Sequence, residues 1–127
     1  MLFSADITVP IATLVTAEHV ETLTLAPGVL SRIHVEFPPG CAELVGVRFM
    51  QAIHQVWPVS EGEYVAWDAG YLETVDELDL GPAPHRLEIH CVNYDSLNDH
   101  TVSVLCIVTP AALPGGQSVL DRLRGLL

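Results

Sequence analysis

Apolar residues in this chain recur mostly at every second position, and clusters of Pro and Gly interrupt the runs. A period of two sends successive side chains to opposite faces of an extended strand, so the chain is built for sheets. The cleanest case has Ile33, Val35 and Phe37 on one side and Arg32, His34 and Glu36 on the other, stopped by Pro38-Pro39-Gly40. Upstream, Ile7, Val9, Ile11, Thr13 and Val15 alternate as an extended segment interrupted by Pro10. Proline has no N–H to give to a ladder, which places that segment at a sheet edge or makes it an arm. Val20–Leu25 reads as a short strand ended by Ala26-Pro27-Gly28. Leu44–Trp57 reads as one long strand, with Val45, Val47, Phe49, Gln51 and Ile53 opposing Arg48, Met50, Ala52 and His54. Its two faces are similarly apolar, as in a strand that is central or covered on its outer side. A turn at 60–63 leads to Tyr64-Val65-Ala66-Trp67, and a turn at 68–70 leads to a strand from Tyr71 to Leu80. After Gly81-Pro82-Ala83-Pro84, Leu87, Ile89 and Cys91 alternate with Arg86, Glu88 and His90. A polar loop at 93–100 precedes a last strand over 101–108.

About eight strands at this spacing, with no helical period between them, predict an all-β antiparallel sandwich. The turn lengths suit both a jelly roll and an immunoglobulin-like Greek key. The Cys…Trp…Cys spacing of true immunoglobulin domains is missing, and a jelly-roll-like sandwich is the preferred reading. A chain of 127 residues makes one domain. It divides into an N-terminal extended arm with the first strands (1–26), a sandwich core (27–110) and a tail (111–127) tethered by Gly115-Gly116. The 3.6-residue period appears only in that tail, where Ser118 would cap a short helix with Val119, Leu120, Leu123 and Leu127 in one stripe. So short a helix needs a surface to pack on. Either it folds back on its own sandwich or it docks into a groove of a partner subunit.

Charge excludes whole classes of function. Sixteen acids face five bases, all Arg, for a formal charge of −11. Phosphate neutralisation needs a basic patch, so neither nucleic acid nor an anionic membrane is an expected partner. No run approaches the length of a membrane span, and the first residues lack the basic start of a secretory signal. Seven of the 16 acids (Glu61, Glu63, Asp68, Glu73, Asp76, Glu77 and Asp79) fall within residues 61–80, a local acidic face. Arg122 and Arg124 lie in the tail. Three cysteines, Cys41, Cys91 and Cys106, without a CxxC pair, fit neither a disulfide framework nor a zinc ribbon. Cys91 and Cys106 read as buried thiols and Cys41 as a residue near a turn, in a chain of cytosolic origin.

Two candidate sites use the strands directly. His34 with Glu36, and Glu88 with His90, would build a His/carboxylate metal site of the cupin kind if their strands were adjacent. The HxH…E spacing of cupins is missing. Trp57, Tyr64, Trp67, Tyr71 and Tyr94 would line a sugar-stacking platform, the mark of a carbohydrate-binding module. No nucleophile elbow precedes a helix. The expected chain is not an enzyme and uses no cofactor.

Several short stretches together have a familiar look: Gly28-Val29-Leu30-Ser31-Arg32-Ile33, Phe37-Pro38-Pro39-Gly40-Cys41, His54-Gln55-Val56-Trp57-Pro58, Leu87-Glu88-Ile89-His90, Asn93-Tyr94-Asp95 and His100-Thr101-Val102-Ser103-Val104. This pattern, over residues 28–108, resembles small β-sandwich proteins encoded among the virion genes of tailed bacteriophages. The resemblance implies a structural protein that decorates or cements a capsid as a homo-oligomer, with a trimer favoured. Its partner would be the major capsid protein or another virion protein, and its place the virion, assembled in the host cytoplasm. Attachment would use the tail, through Val119, Leu120, Leu123 and Leu127 with Arg122 and Arg124.

Overall fold

A computed structural model describes residues 1–110. Eight strands form: β1 (Leu2–Val9), β2 (His19–Thr24), β3 (Val29–Phe37), β4 (Val45–Gln51), β5 (His54–Trp57), β6 (Gly70–Asp79), β7 (Arg86–Asn93) and β8 (His100–Thr109). They make two four-stranded antiparallel sheets, ordered β1-β8-β3-β6 and β2-β7-β4-β5. Among the described residues no helix is long and apolar enough to cross a membrane.

The alternation decides what the sheets bury. Ile7 and Val9, Ile33, Val35 and Phe37, and Val102, Val104 and Cys106 point inward from the first sheet. Val45, Val47 and Phe49 with Leu87, Ile89 and Cys91 meet them from the second. All are buried, and branched aliphatic side chains with the two rings of Phe37 and Phe49 fill the space between the layers. Cys41 is buried too, beside the turn that follows β3, and all three thiols are free.

The proline-interrupted N-terminal segment is the edge strand β1, paired along its whole length with β8 from Leu2↔Ile107 to Val9↔His100. Pairing stops at Pro10, so the alternation through Val15 does not continue as a strand; Val15–Ala17 is a single 3₁₀ turn. The run 44–57 is a correction to the single strand expected there. It is a hairpin, with Ala52 at φ 52° in the turn between β4 and β5. No Gly, Pro, Asn or Asp marks that turn, and an apolar run hides it. β4 itself is central, between β7 and β5. Residues 64–67 contribute only one bridge, Val65 to Val47. The tail, with its proposed helix and the contact residues Val119, Leu120, Leu123, Leu127, Arg122 and Arg124, lies outside the described residues.

Candidate functional site: the outer faces of the two sheets

With the interior closed by apolar side chains, chemistry is left to the outer faces. On the second sheet, Arg48 is an outward residue of the central strand β4, and a guanidinium in so covered a place needs a counter-charge. Glu18, just before β2, supplies it. Arg48 Nε and Nη2 donate to the two Glu18 oxygens at 2.9 and 2.6 Å, a bidentate pair. The Tyr64 hydroxyl also donates to Glu18, and its ring lies 5.3 Å from the guanidinium carbon. His90 sits between two carboxylates, Nδ1 3.3 Å from Glu18 and Nε2 3.2 Å from Glu88. Arg48 Nη1 reaches Gln55 Oε1 at 3.2 Å, while Gln55 Nε2 donates to the carbonyls of Pro58, Ser60 and Glu63.

This network straps two irregular segments, residues 10–18 and 58–67, onto the sheet. Gly46 permits the closeness: a Cβ there would stand 2.9 Å from Tyr64 Cβ and 3.0 Å from Val92 Cγ2. Burial raises the Glu18 carboxyl, but the hydrogen bonds from Arg48, Tyr64 and His90 outweigh it and leave the group below its usual range. Burial and the bond to Glu18 push the Tyr64 phenol up.

At one end of the sandwich a second polar knot ties the loops. Asn93 is fully buried; its Nδ2 donates to the carbonyls of Val9 and Asn98, and its Oδ1 accepts from the Asp95 amide. Asp95 in turn accepts from the Leu97 amide at 2.8 Å, from the Asn98 amide and from His100 Nε2 at 2.8 Å. The bonds from Leu97 and then His100 hold the Asp95 carboxyl down at about 2. A carboxylate with a lowered native pKa adds stability above its unfolded value, near 4, and loses it as the pH falls toward the native one. Glu18 acts in the same direction. Urea midpoints measured from pH 7 down to 2 are therefore expected to hold above about pH 5 and to fall steeply between about pH 4 and 2. Asp95→Asn keeps an acceptor for the Leu97 amide and removes the charge, so its midpoint should be lower at pH 7 and change less over that window.

The outer face of the first sheet carries rows of aligned side chains. Leu2, Ile107, Arg32 and Val75 form one row and Ser4, Leu105, His34 and Glu73 the next. Asp6, Ser103, Glu36 and Tyr71 form a third, in which Ser103 Oγ donates to Asp6 at 2.8 Å. Glu73 forms an ion pair with Arg32 at 3.3 Å and lies 3.0 Å from His34 Nδ1, and the His34 ring stacks on Tyr71 with centroids 4.5 Å apart.

The residues singled out as a metal set are not brought together. His34 and Glu36 project from β3 of the first sheet, Glu88 and His90 from β7 of the second, each pair on the outer face. A shared site requires those strands to be adjacent, and the fold puts the whole core between them. Among the described residues no three His, Cys, Asp or Glu side chains converge as metal ligands. The aromatic set is scattered as well. Trp57 packs on the core residue Phe49 at 5.7 Å, Tyr64 belongs to the Glu18 network, and Tyr71 lies on the opposite sheet. Trp67 packs over Gly70, and Tyr94 stands half exposed. Of the acidic run, Glu73 is paired, Asp68 accepts from the Gly40 amide and Asp79 from the Gly81 amide. Glu18 and Gln55 had not been singled out. Their signal was Arg48, a lone cation in an otherwise apolar central strand.

A cleft of about 640 Å³ opens at the other end of the second sheet, between the β6–β7 connection and the β4–β5 turn. No protein-family model matches the chain, and neither a curated protein nor a solved structure is similar to it.

Proposed function

We propose that this chain is a jelly roll and a non-enzymatic structural subunit that assembles as a homo-oligomer, a trimer, and decorates or cements a bacteriophage capsid. The jelly-roll reading is supported by the pairings β1–β8, β2–β7, β3–β6 and β4–β5, which are those of one long antiparallel ribbon wound into two layers. Eight-stranded double sheets of this kind serve as capsid, lectin and cupin domains. One observation favours the first use. The space between the sheets, where a cupin holds its ligands, is packed with apolar side chains, while other large apolar residues stand on the outside. Leu2 and Val75 are 63% and 67% exposed on the outer face of the first sheet, and Ile53, Val59 and Leu97 exceed 80% at the loops. Exposed apolar side chains of this size are what subunit contacts use. The measurement is mass in solution. Sedimentation equilibrium at tens of micromolar is expected to give three times the 13.8 kDa chain mass, and a monomer at that concentration would overturn the homo-oligomer.

A further inference from the structure

We propose that a trough on the outer face of the first sheet binds a neutral carbohydrate. The trough lies along the inner strand β8 and has a volume of about 390 Å³, within the roughly 300–1,000 Å³ of small-ligand sites. Its floor is Ser103 and Leu105, both half-buried; β1 contributes Ser4 and Asp6 to one wall, and β3 contributes His34 and Glu36 to the other. The register explains the hollow. Asp6, Ser103 and Glu36 stand in one row across the sheet, and Ser4, Leu105 and His34 in the next. A short serine on the middle strand thus lies between longer acidic side chains on both neighbours. The strands that carry the walls are two spacings apart, roughly 10 Å.

Hydrogen bonds already made fix what the trough offers a ligand. Ser103 Oγ gives its proton to Asp6 Oδ1 at 2.8 Å, so Ser103 keeps its lone pairs and Asp6 keeps Oδ2. His34 Nδ1 lies 3.0 Å from Glu73, so the neutral imidazole donates there and keeps Nε2 as an acceptor. Glu36 is exposed, and its carboxylate carries only acceptors. Among the described residues no arginine lines the trough, and Arg32, two residues along β3, pairs with Glu73. Acceptors on both walls above the apolar Leu105 suit a ligand with many donors, no negative charge and an apolar C–H face. A neutral sugar has all three. A simple ammonium has the donors, but it has no apolar face for Leu105 and makes use of one wall only. Beyond Glu36 in the same row stands Tyr71, 60% exposed, its ring fixed by stacking on His34. A rigid ring with a polar tip, held at the rim in one orientation, is a platform for a second sugar. Of the aromatic residues expected to form a platform, this site uses Tyr71 alone. The inference does not rest on the capsid reading.

The full chain, probed on an array of neutral gluco-, manno-, galacto- and xylo-oligosaccharides, tests it, with calorimetric titration of the best binder. A signal is expected on at least one neutral family and none on sialylated or sulfated glycans. Glu36→Ala removes an acceptor and should weaken binding about tenfold, and Tyr71→Ala should weaken it about fivefold. Ser103→Trp fills the floor and should abolish binding, whereas Tyr94→Ala, in the loop after β7, should leave it unchanged. Urea midpoints and sedimentation of the Glu36→Ala and Tyr71→Ala proteins should match the unaltered chain, so these exposed changes decide the matter even if Ser103→Trp does not fold. No neutral glycan above background, equal binding of acidic glycans, or full binding by Glu36→Ala and Tyr71→Ala would overturn the proposal. Binding of spermidine without any sugar would overturn it too, since the acceptors would then serve a cation. A monomer that binds sugar through these residues would uphold the site and remove only the homo-oligomer.

Discussion

A Phe49→Ala protein is expected to lose about 4 kcal/mol of stability, a large share of what a domain of this size possesses. Phe49 is fully buried on the central strand β4, directly opposite Ile89 of β7, and its ring stacks on Trp57 of β5 with an interplanar angle of 22°. Its removal leaves a cavity that both layers border, and two sheets held in register by their ladders cannot collapse into it. Trp57 also loses the surface that keeps it against the core, so the short hairpin β4–β5 should loosen first. Urea unfolding would show the loss as a lower midpoint with little change in slope. Phe49→Leu refills most of the volume and should recover more than half of the loss.

Arg48→Ala is expected to cost about 3 kcal/mol, through the carboxylate it abandons rather than the contacts it takes away. Glu18 is 12% exposed at its side chain and Arg48 18%. Without the guanidinium, Glu18 keeps only Tyr64 and His90 as donors, and its burial is no longer outweighed. The carboxyl should then titrate higher and Glu18 should no longer contribute to the acid-induced loss, so the deficit of the variant against the unaltered protein should narrow as the pH falls. A cycle with Glu18→Gln separates the pair from its surroundings. The double variant should be more stable than the sum of the single effects by about 1–2 kcal/mol. Additivity would mean that the two side chains act independently, against their bidentate geometry.

How far the sequence could be read depended on whether a signal was local. β3 and β7 were legible because alternation and flanking turn residues agreed at the same positions. The end of β1 was half legible: Pro10 announced an edge, but the alternation carried the expected segment past the point where pairing ceases. The hairpin inside 44–57 was hidden because Ala52 takes a left-handed backbone conformation that composition does not advertise. Site geometry was the least legible. Which outward residues meet depends on strand order, and strand order is not a local property. His34 and His90 look alike in sequence, each two residues from a glutamate, yet they face opposite sides of the sandwich. Glu18 and Arg48 are 30 residues apart and meet only because the segment before β2 runs beside β7, the neighbour of β4.

The three free cysteines give the molecule a built-in gauge of its own opening. Burial pushes Cys91 and Cys106 up to about 12 and, with Asp68 and Asp95 nearby, raises Cys41 too. Thiols so placed offer almost no thiolate to an alkylating reagent while the sandwich is closed. Each also samples a different depth of opening. Cys91 and Cys106 sit on the inner faces of opposing sheets and become reactive only when the layers part. Cys41 lies outside the strands, beside the turn that follows β3, where a local opening would expose it with the sheets still together. The order in which the thiols react therefore distinguishes breathing of a loop from parting of the sandwich, in the unaltered chain and without a probe attached.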